Sequence, residues 1–180
     1  MDLTLVIPRL QSFEGCEPHM YLCTGGKVTI GIGHAIETPA DAGGLPWSIN
    51  GRPAADTEIQ TDYANIAAAQ MDLAAPAYAH LTQCRMAPAD ITALVAADVA
   101  RFEAKLAAAL PNWSTYPEPV QEALFDMGFN LGVDGLLKFH MLLAAVDAGQ
   151  WAEAAAQSHR KGIGDTRNQQ TAALFLQAAG

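Results

Sequence analysis

The 180-residue chain is poor in the residues that mark several large classes of protein. Lysine and arginine number only ten against 19 acids, for a net charge of −9. Binding to nucleic acid needs clustered cations to displace counterions from phosphates, so this balance argues against nucleic acid and, for the same reason, against anionic membrane surfaces. Three cysteines, Cys16, Cys23 and Cys84, are too few for a stapled secreted scaffold and cannot all pair. One disulfide is open, but reduced thiols are expected. No apolar run approaches the roughly 20 residues that a membrane span requires. The N-terminal stretch MDLTLVIPRLQSFEG has an acid at position 2 and no basic region, so no signal peptide is expected. What the chain does have is 51% hydrophobic residues, which excludes general disorder and suffices for one domain or two small lobes sharing a long element.

The alanine-rich stretches read as helices. The first is predicted over Leu3–Phe13, with Leu3, Val6, Ile7, Leu10 and Phe13 on one face. Pro8 lacks an amide donor there, which predicts a late start or a kink. Val28–Ile32 reads as a short strand that pairs with Met20–Cys23 across the turn TGGK. Residues 35–56 hold proline and glycine at loop density, with Trp47 available to pack the loop. Helices are then expected from Thr57 through Ala69, from Ala87 to Leu110 before Pro111, and from Pro117 to Leu131, closed by Gly132. Leu136–Ala148, Trp151–Ser158 and Thr166–Gln177 complete the series. The fold class is therefore α+β and mostly α, a small β-containing part followed by a helical body.

The run VTIGIGH carries the first chemical signal. Strict alternation puts Val28, Ile30 and Ile32 on a core face and Thr29, Gly31 and Gly33 on a nearly bare one. Glycine inside a strand marks close approach, either of another backbone or of a ligand such as a sugar lying flat over Gly31 and Gly33. His34 has the parity of the core face and needs a polar partner there. Asp98, on the same helical face as Leu94, Val95 and Phe102, can supply one, so a structural pair is expected rather than a catalytic base. Glu14 falls at the end of the first helix, where the negative end of the dipole disfavours the ionised form. A carboxyl kept protonated is what a general acid requires, although a lone exposed glutamate is ordinarily just a solvated charge. Cys16, His19 and Cys23 lack a fourth ligand nearby, so no metal is expected. Gly31-Ile32-Gly33 lacks the third glycine of a dinucleotide fingerprint, and no cofactor is implied.

Taken together, Glu14, Cys23 nine residues on, Thr29 six further and the following IGIGH resemble the glutamate–aspartate/cysteine–threonine triad of the phage-type lysozymes, the T-even phage lysozyme-like muramidases of glycoside hydrolase family 24. The stretches DITALVAADVARFEAKL, ALFDMGFNLG and TRNQQTAALF are similar to that family in order and character, whereas residues 35–85 are longer than in its compact members. The resemblance implies a single two-lobed lysozyme-like domain. Its β-hairpin lobe would span about residues 14–85 and its helical lobe about 86–180, with the first helix packed on the latter. It implies Glu14 as the acid that protonates the glycosidic oxygen, Thr29 as a group that places the attacking water, and Cys23 where many members carry aspartate. It also implies Gly31, Gly33, Phe129, Asn130 and Arg167 as substrate-binding, Arg167 near the glutamate, and His34–Asp98 as a structural pair. The tryptophan that many members carry upstream of TRNQQ is missing here.

The activity implied is hydrolysis of the β-1,4 bond between N-acetylmuramic acid and N-acetylglucosamine in peptidoglycan, with the glycan strand as partner. The competing reading is a peptidoglycan-binding module that grips without cutting, and a third is a chitinase- or chitosanase-like glycosidase. A thiol with an ordinary pKa near 8.5 is mostly neutral at pH 7, so Cys23 acts either as a thiolate nucleophile or base or as a stand-in that leaves most of the work to Glu14 and Thr29, and the second is favoured. The protein is expected to be a monomer made in the cytoplasm and to act in the periplasm of a host or target cell. Lysins are often basic, so the charge of −9 leans toward a tail component or an injected effector, with delivery machinery or an immunity protein as further partners.

Overall fold

The computed structural model describes residues 1–179, which form two compact units. One runs from Ile7 to Asp98; the other joins Met1–Val6 to the chain from Val99 onward. The division falls inside the long helix predicted from Ala87. Its first turns carry the buried Ile91 and Val95, and Ile91 packs on the glycine-rich hairpin of the first unit.

The unit from Ile7 to Asp98 takes up the end of α1 (Leu3–Glu14), which continues through Pro8 without interruption. Pro8 is exposed, so the carbonyl it leaves without a donor can bond water instead. A three-stranded antiparallel sheet follows in the order β1 (Glu17–Leu22), β2 (Val28–Gly31), β3 (His34–Ala35). Tyr21 faces Thr29 across β1 and β2, and Ile30 faces His34 across β2 and β3. The strand predicted over Val28–Ile32 ends at Gly31, and Ile32 and Gly33 form the turn into β3. Gly31 and Gly33 have φ of +64° and +81°, a left-handed backbone that turns the chain back on itself after four residues.

The predicted loop after residue 35 is folded. Thr38 and Asp41 cap each other at the start of α2 (Pro39–Gly43). Asn50-Gly51, both left-handed, closes a tight hairpin between β4 (Trp47–Ile49) and β5 (Arg52–Pro53). The indole of the buried Trp47 donates to the Ala42 carbonyl at 2.9 Å. After α3 (Asp56–Ala67) and a 3-10 helix (Ala75–Leu81), β6 (Arg85–Met86) completes a second sheet in the order β5-β4-β6. Asp62 on α3 accepts the amides of Gln83 and Cys84, both at 2.7 Å, and so aligns β6. Helix α3 and the 3-10 helix pack on β1 over a core of Met20, Ile30, Ile59, Ile66 and Tyr78. The unit ends in the first half of α4 (Pro88–Ala109).

The other unit is helical. After α4 come a short 3-10 turn (Trp113–Thr115), α5 (Glu118–Leu131), α6 (Val133–Leu136), α7 (His140–Asp147), α8 (Trp151–Gln157) and α9 (Asp165–Gln177). The helix expected over Leu136–Ala148 is in fact α6 and α7, broken at Leu137–Phe139. Leu124, Phe125, Met127, Leu142, Val146 and Phe175 are fully or almost fully buried. Phe125 stacks on Phe129 at 5.7 Å, and Phe102 meets both edge-on. The fold is α+β and mostly α, as the sequence predicts.

Candidate active site

Glu14 is the last residue of α1, and Gly15 then folds its amide back to the Gln11 carbonyl at 3.0 Å. That cap leaves Glu14 exposed on the wall of an open cavity. Tyr21, Cys23 and Gly33 enter the same cavity from the hairpin; Asp72, Leu73 and Ala75 form its outer side. Tyr21 and Cys23 share a face because they are two apart along the strand direction.

Cys23 opens the turn that joins β1 to β2. Its amide donates to the Lys27 carbonyl at 3.0 Å, and its carbonyl accepts the Gly26 amide at 2.8 Å. Burial pushes the thiol's pKa up, but hydrogen bonds from the Lys27 and Gly25 amides and the Thr29 hydroxyl outweigh it, and the net shift is down. The other two thiols go the opposite way. Burial raises Cys16, with Glu17 adding to it, and burial beside Asp62 pushes Cys84 up to about 12. All three are free, and Cys23 alone is drawn toward the thiolate.

Thr29 lies behind this surface and is 1% exposed. Its hydroxyl donates to the Lys27 carbonyl at 2.9 Å. It has one proton, so a Cys23 thiolate competes with that carbonyl for it. The expected alignment of Thr29 with Gly31 and Gly33 on one bare face does not exist, because the chain turns at Gly31. A β-carbon on Gly31 would come within 2.9 Å of Ile91 Cγ2, so this glycine is covered by α4 and offers no surface to a sugar. Gly33 meets nothing within 4 Å on that side and lines the cavity. Of the two glycines, only Gly33 belongs to the site.

Sequence reasoning missed Tyr21. Burial pushes its phenol up to about 12, against the pull of the Gly33 amide that bonds it, while Cys23 and Glu14 raise it further. The hydroxyl therefore stays protonated and can donate at any ordinary pH. Its two-residue spacing from Cys23 was the available signal. His34 Nδ1 is 2.8 Å from Asp98 Oδ2, both about one-fifth exposed, and neither residue lines the cavity. His19 is buried, with Nε2 3.0 Å from the Ala75 carbonyl. Among the described residues no three His, Cys, Asp or Glu side chains are grouped to hold a metal.

In the helical unit, Arg167 is held by a carboxylate that the sequence reading did not single out. Asp126 accepts from Arg167 Nε at 3.0 Å, from the almost wholly buried Arg160 at 2.8 Å and from Thr171 at 2.9 Å. Asn168 bonds the Arg160 amide and carbonyl, which closes the network. Phe129 is half-buried in the phenylalanine cluster, and the buried Asn130 Oδ1 makes no hydrogen bond among the described residues.

No helix among the described residues is long and apolar enough to cross a membrane. A search of curated proteins finds no match to the chain. A family model described as phage lysozyme matches residues 11–174, which takes in Glu14, the whole hairpin and α4 to α8 together with most of α9. By that match the chain belongs to the phage lysozyme family, whose chemistry is lysozyme-type hydrolysis of peptidoglycan.

Proposed function

We propose that the protein is a muramidase that hydrolyses the β-1,4 bond between N-acetylmuramic acid and N-acetylglucosamine, with Glu14 as general acid. The observation that carries this reading is one cavity walled by an exposed carboxyl and a thiol drawn toward its ionised form. Glu14 donates its proton to the glycosidic oxygen as the bond to the anomeric carbon breaks. Cys23 orients the attacking water and receives its proton. Thr29 acts through Cys23, since its hydroxyl supports the sulfur and does not reach the open cavity. Tyr21 offers a fixed donor to the sugar or to the water. Phe129, Asn130 and Arg167 contact glycan in this reading, and the unpartnered Asn130 Oδ1 suits an acceptor for a sugar hydroxyl or amide. The enzyme works as a monomer on peptidoglycan in the periplasm, delivered as a phage lysin or tail protein or as an injected effector.

The test is turbidity loss of chloroform-treated Gram-negative cells, with reducing ends released from purified sacculi as the direct readout. Glu14→Gln keeps the shape and removes the titratable proton. It is expected to abolish both signals while leaving the circular dichroism spectrum and melting temperature unchanged. A folded Glu14→Gln protein that lyses cells at the wild-type rate refutes the assignment. A wild type that sediments with sacculi yet releases no reducing ends leaves a binding module in its place.

A further inference from the structure

Residues 70–75 build the outer wall of the Glu14–Cys23 cavity, and both ends of this short segment are tied down. Tyr78, fully buried, donates its hydroxyl to the Gln70 carbonyl at 2.8 Å. His19, 3% exposed, holds the Ala75 carbonyl from Nε2 at 3.0 Å. Between them Met71 rests on the hairpin turn, so that a β-carbon on Gly26 would lie 3.1 Å from its Cε.

The wall presents two groups to the cavity. Asp72 has a left-handed backbone, φ +64°, and its exposed carboxylate makes no hydrogen bond or ion pair within the described residues. Leu73 is 39% exposed and lines the same space. A free acceptor next to an apolar surface complements one common sugar substituent, the acetamido group, which carries an N–H donor and a methyl. We propose that Asp72 and Leu73 are specificity-determining residues that read the N-acetyl group of the sugar bound beside Glu14. Asp72 accepts the amide N–H, and Leu73 covers the methyl. The inference rests on the muramidase reading and specifies which substituent the site selects.

The experiment compares kcat/KM on soluble peptidoglycan glycan chains with that on the same chains chemically de-N-acetylated. Asp72→Gly removes the carboxylate and relaxes the left-handed backbone, so the fold is retained. It is expected to lower kcat/KM on the acetylated glycan by about 10- to 100-fold, mostly through KM, the loss usual for a hydrogen bond to a charged group. Asp72→Asn, which keeps an acceptor oxygen and tolerates the same backbone, is expected to restore most of it. Leu73→Ser is expected to narrow the preference for acetylated over de-N-acetylated glycan by about 10-fold, in line with one methyl in an apolar pocket. If the wild type cleaves acetylated glycan while Asp72→Gly and Leu73→Ser leave its kcat/KM unchanged, this inference is wrong and the muramidase reading stands. Preference of the wild type for the de-N-acetylated chains, whose free amine would pair with Asp72 as a cation, also overturns it. A wild type that cleaves neither glycan refutes both readings.

Discussion

Replacing Gly31 by alanine tests whether the glycine-rich hairpin is packed structure or an open platform. Two separate costs arise. The left-handed backbone at Gly31 is disfavoured by roughly 1–2 kcal/mol for any residue with a β-carbon. The added methyl would also stand 2.9 Å from Ile91 Cγ2, and Ile91 is buried and β-branched, so it cannot swing aside. Overpacking of that kind typically costs about 1–3 kcal/mol, for a total of roughly 2–5 kcal/mol. Gly33→Ala is the internal control. It has the same kind of backbone, φ +81°, but nothing within 4 Å of the new methyl, so only the first cost applies. Urea unfolding of the two variants should therefore differ by about 1–3 kcal/mol at equal m. Adding Ile91→Ala to Gly31→Ala should recover a coupling of roughly the same size in a double-mutant cycle. Equal destabilisation by the two alanines, or no coupling to Ile91, would refute the packing argument. A Gly31→Ala protein that lost lysis without losing stability would restore the platform.

For Cys23, substitution by aspartate is expected to retain lysis and substitution by serine to lose at least about 10-fold, because serine cannot ionise near neutrality. The thiol must be deprotonated to act, and its pKa lies below the ordinary thiol value, so the ratio of wild-type to Cys23→Asp activity should rise as pH climbs toward that value; a flat ratio would return Cys23 to a passive role. Tyr21 ionises near 10 in the unfolded chain and near 12 in the fold, so the unfolded chain loses its proton first and stability should fall as pH climbs through that window. The fall is at most about 3 kcal/mol, and it should be missing from Tyr21→Phe; parallel curves for the two proteins would contradict the buried phenol. Breaking the half-buried His34–Asp98 pair with Asp98→Asn or His34→Asn is expected to cost about 1–3 kcal/mol, between the values for surface and buried ion pairs, and unchanged melting temperatures for both would show that the pair carries no stability.

The parts of the site that are legible in the sequence are those fixed by local spacing. Glu14 at a helix end, Cys23 in a turn and Thr29 on the next strand are set by short-range geometry, and the predicted helices from Ala87 onward follow a period that burial enforces. The alternation of VTIGIGH misleads because period-2 reasoning presumes an extended backbone, and nothing in the letters says that both glycines are left-handed. The hairpin around Asn50-Gly51 was readable from that dipeptide, but the surrounding prolines and glycines pointed to a loop. The wall at 70–75 could not be read, since the His19–Ala75 hydrogen bond spans 56 residues and its donor looked at most like a stray metal ligand. Asp126 was hidden likewise, within a helix whose pattern identifies it only as an inward position.

The carboxylate of Asp126 ties α5 to residues 34 to 45 positions later, and three of the groups in its network, Arg167, Asn168 and Thr171, lie on α9. The lock is therefore complete only once α9 is present. A chain without α9 leaves the Asp126 carboxylate and the Arg160 guanidinium without most of the hydrogen bonds that hold them, a loss that costs several kcal/mol. Loss of α9 would then yield prey for proteases instead of a shortened, partly working protein.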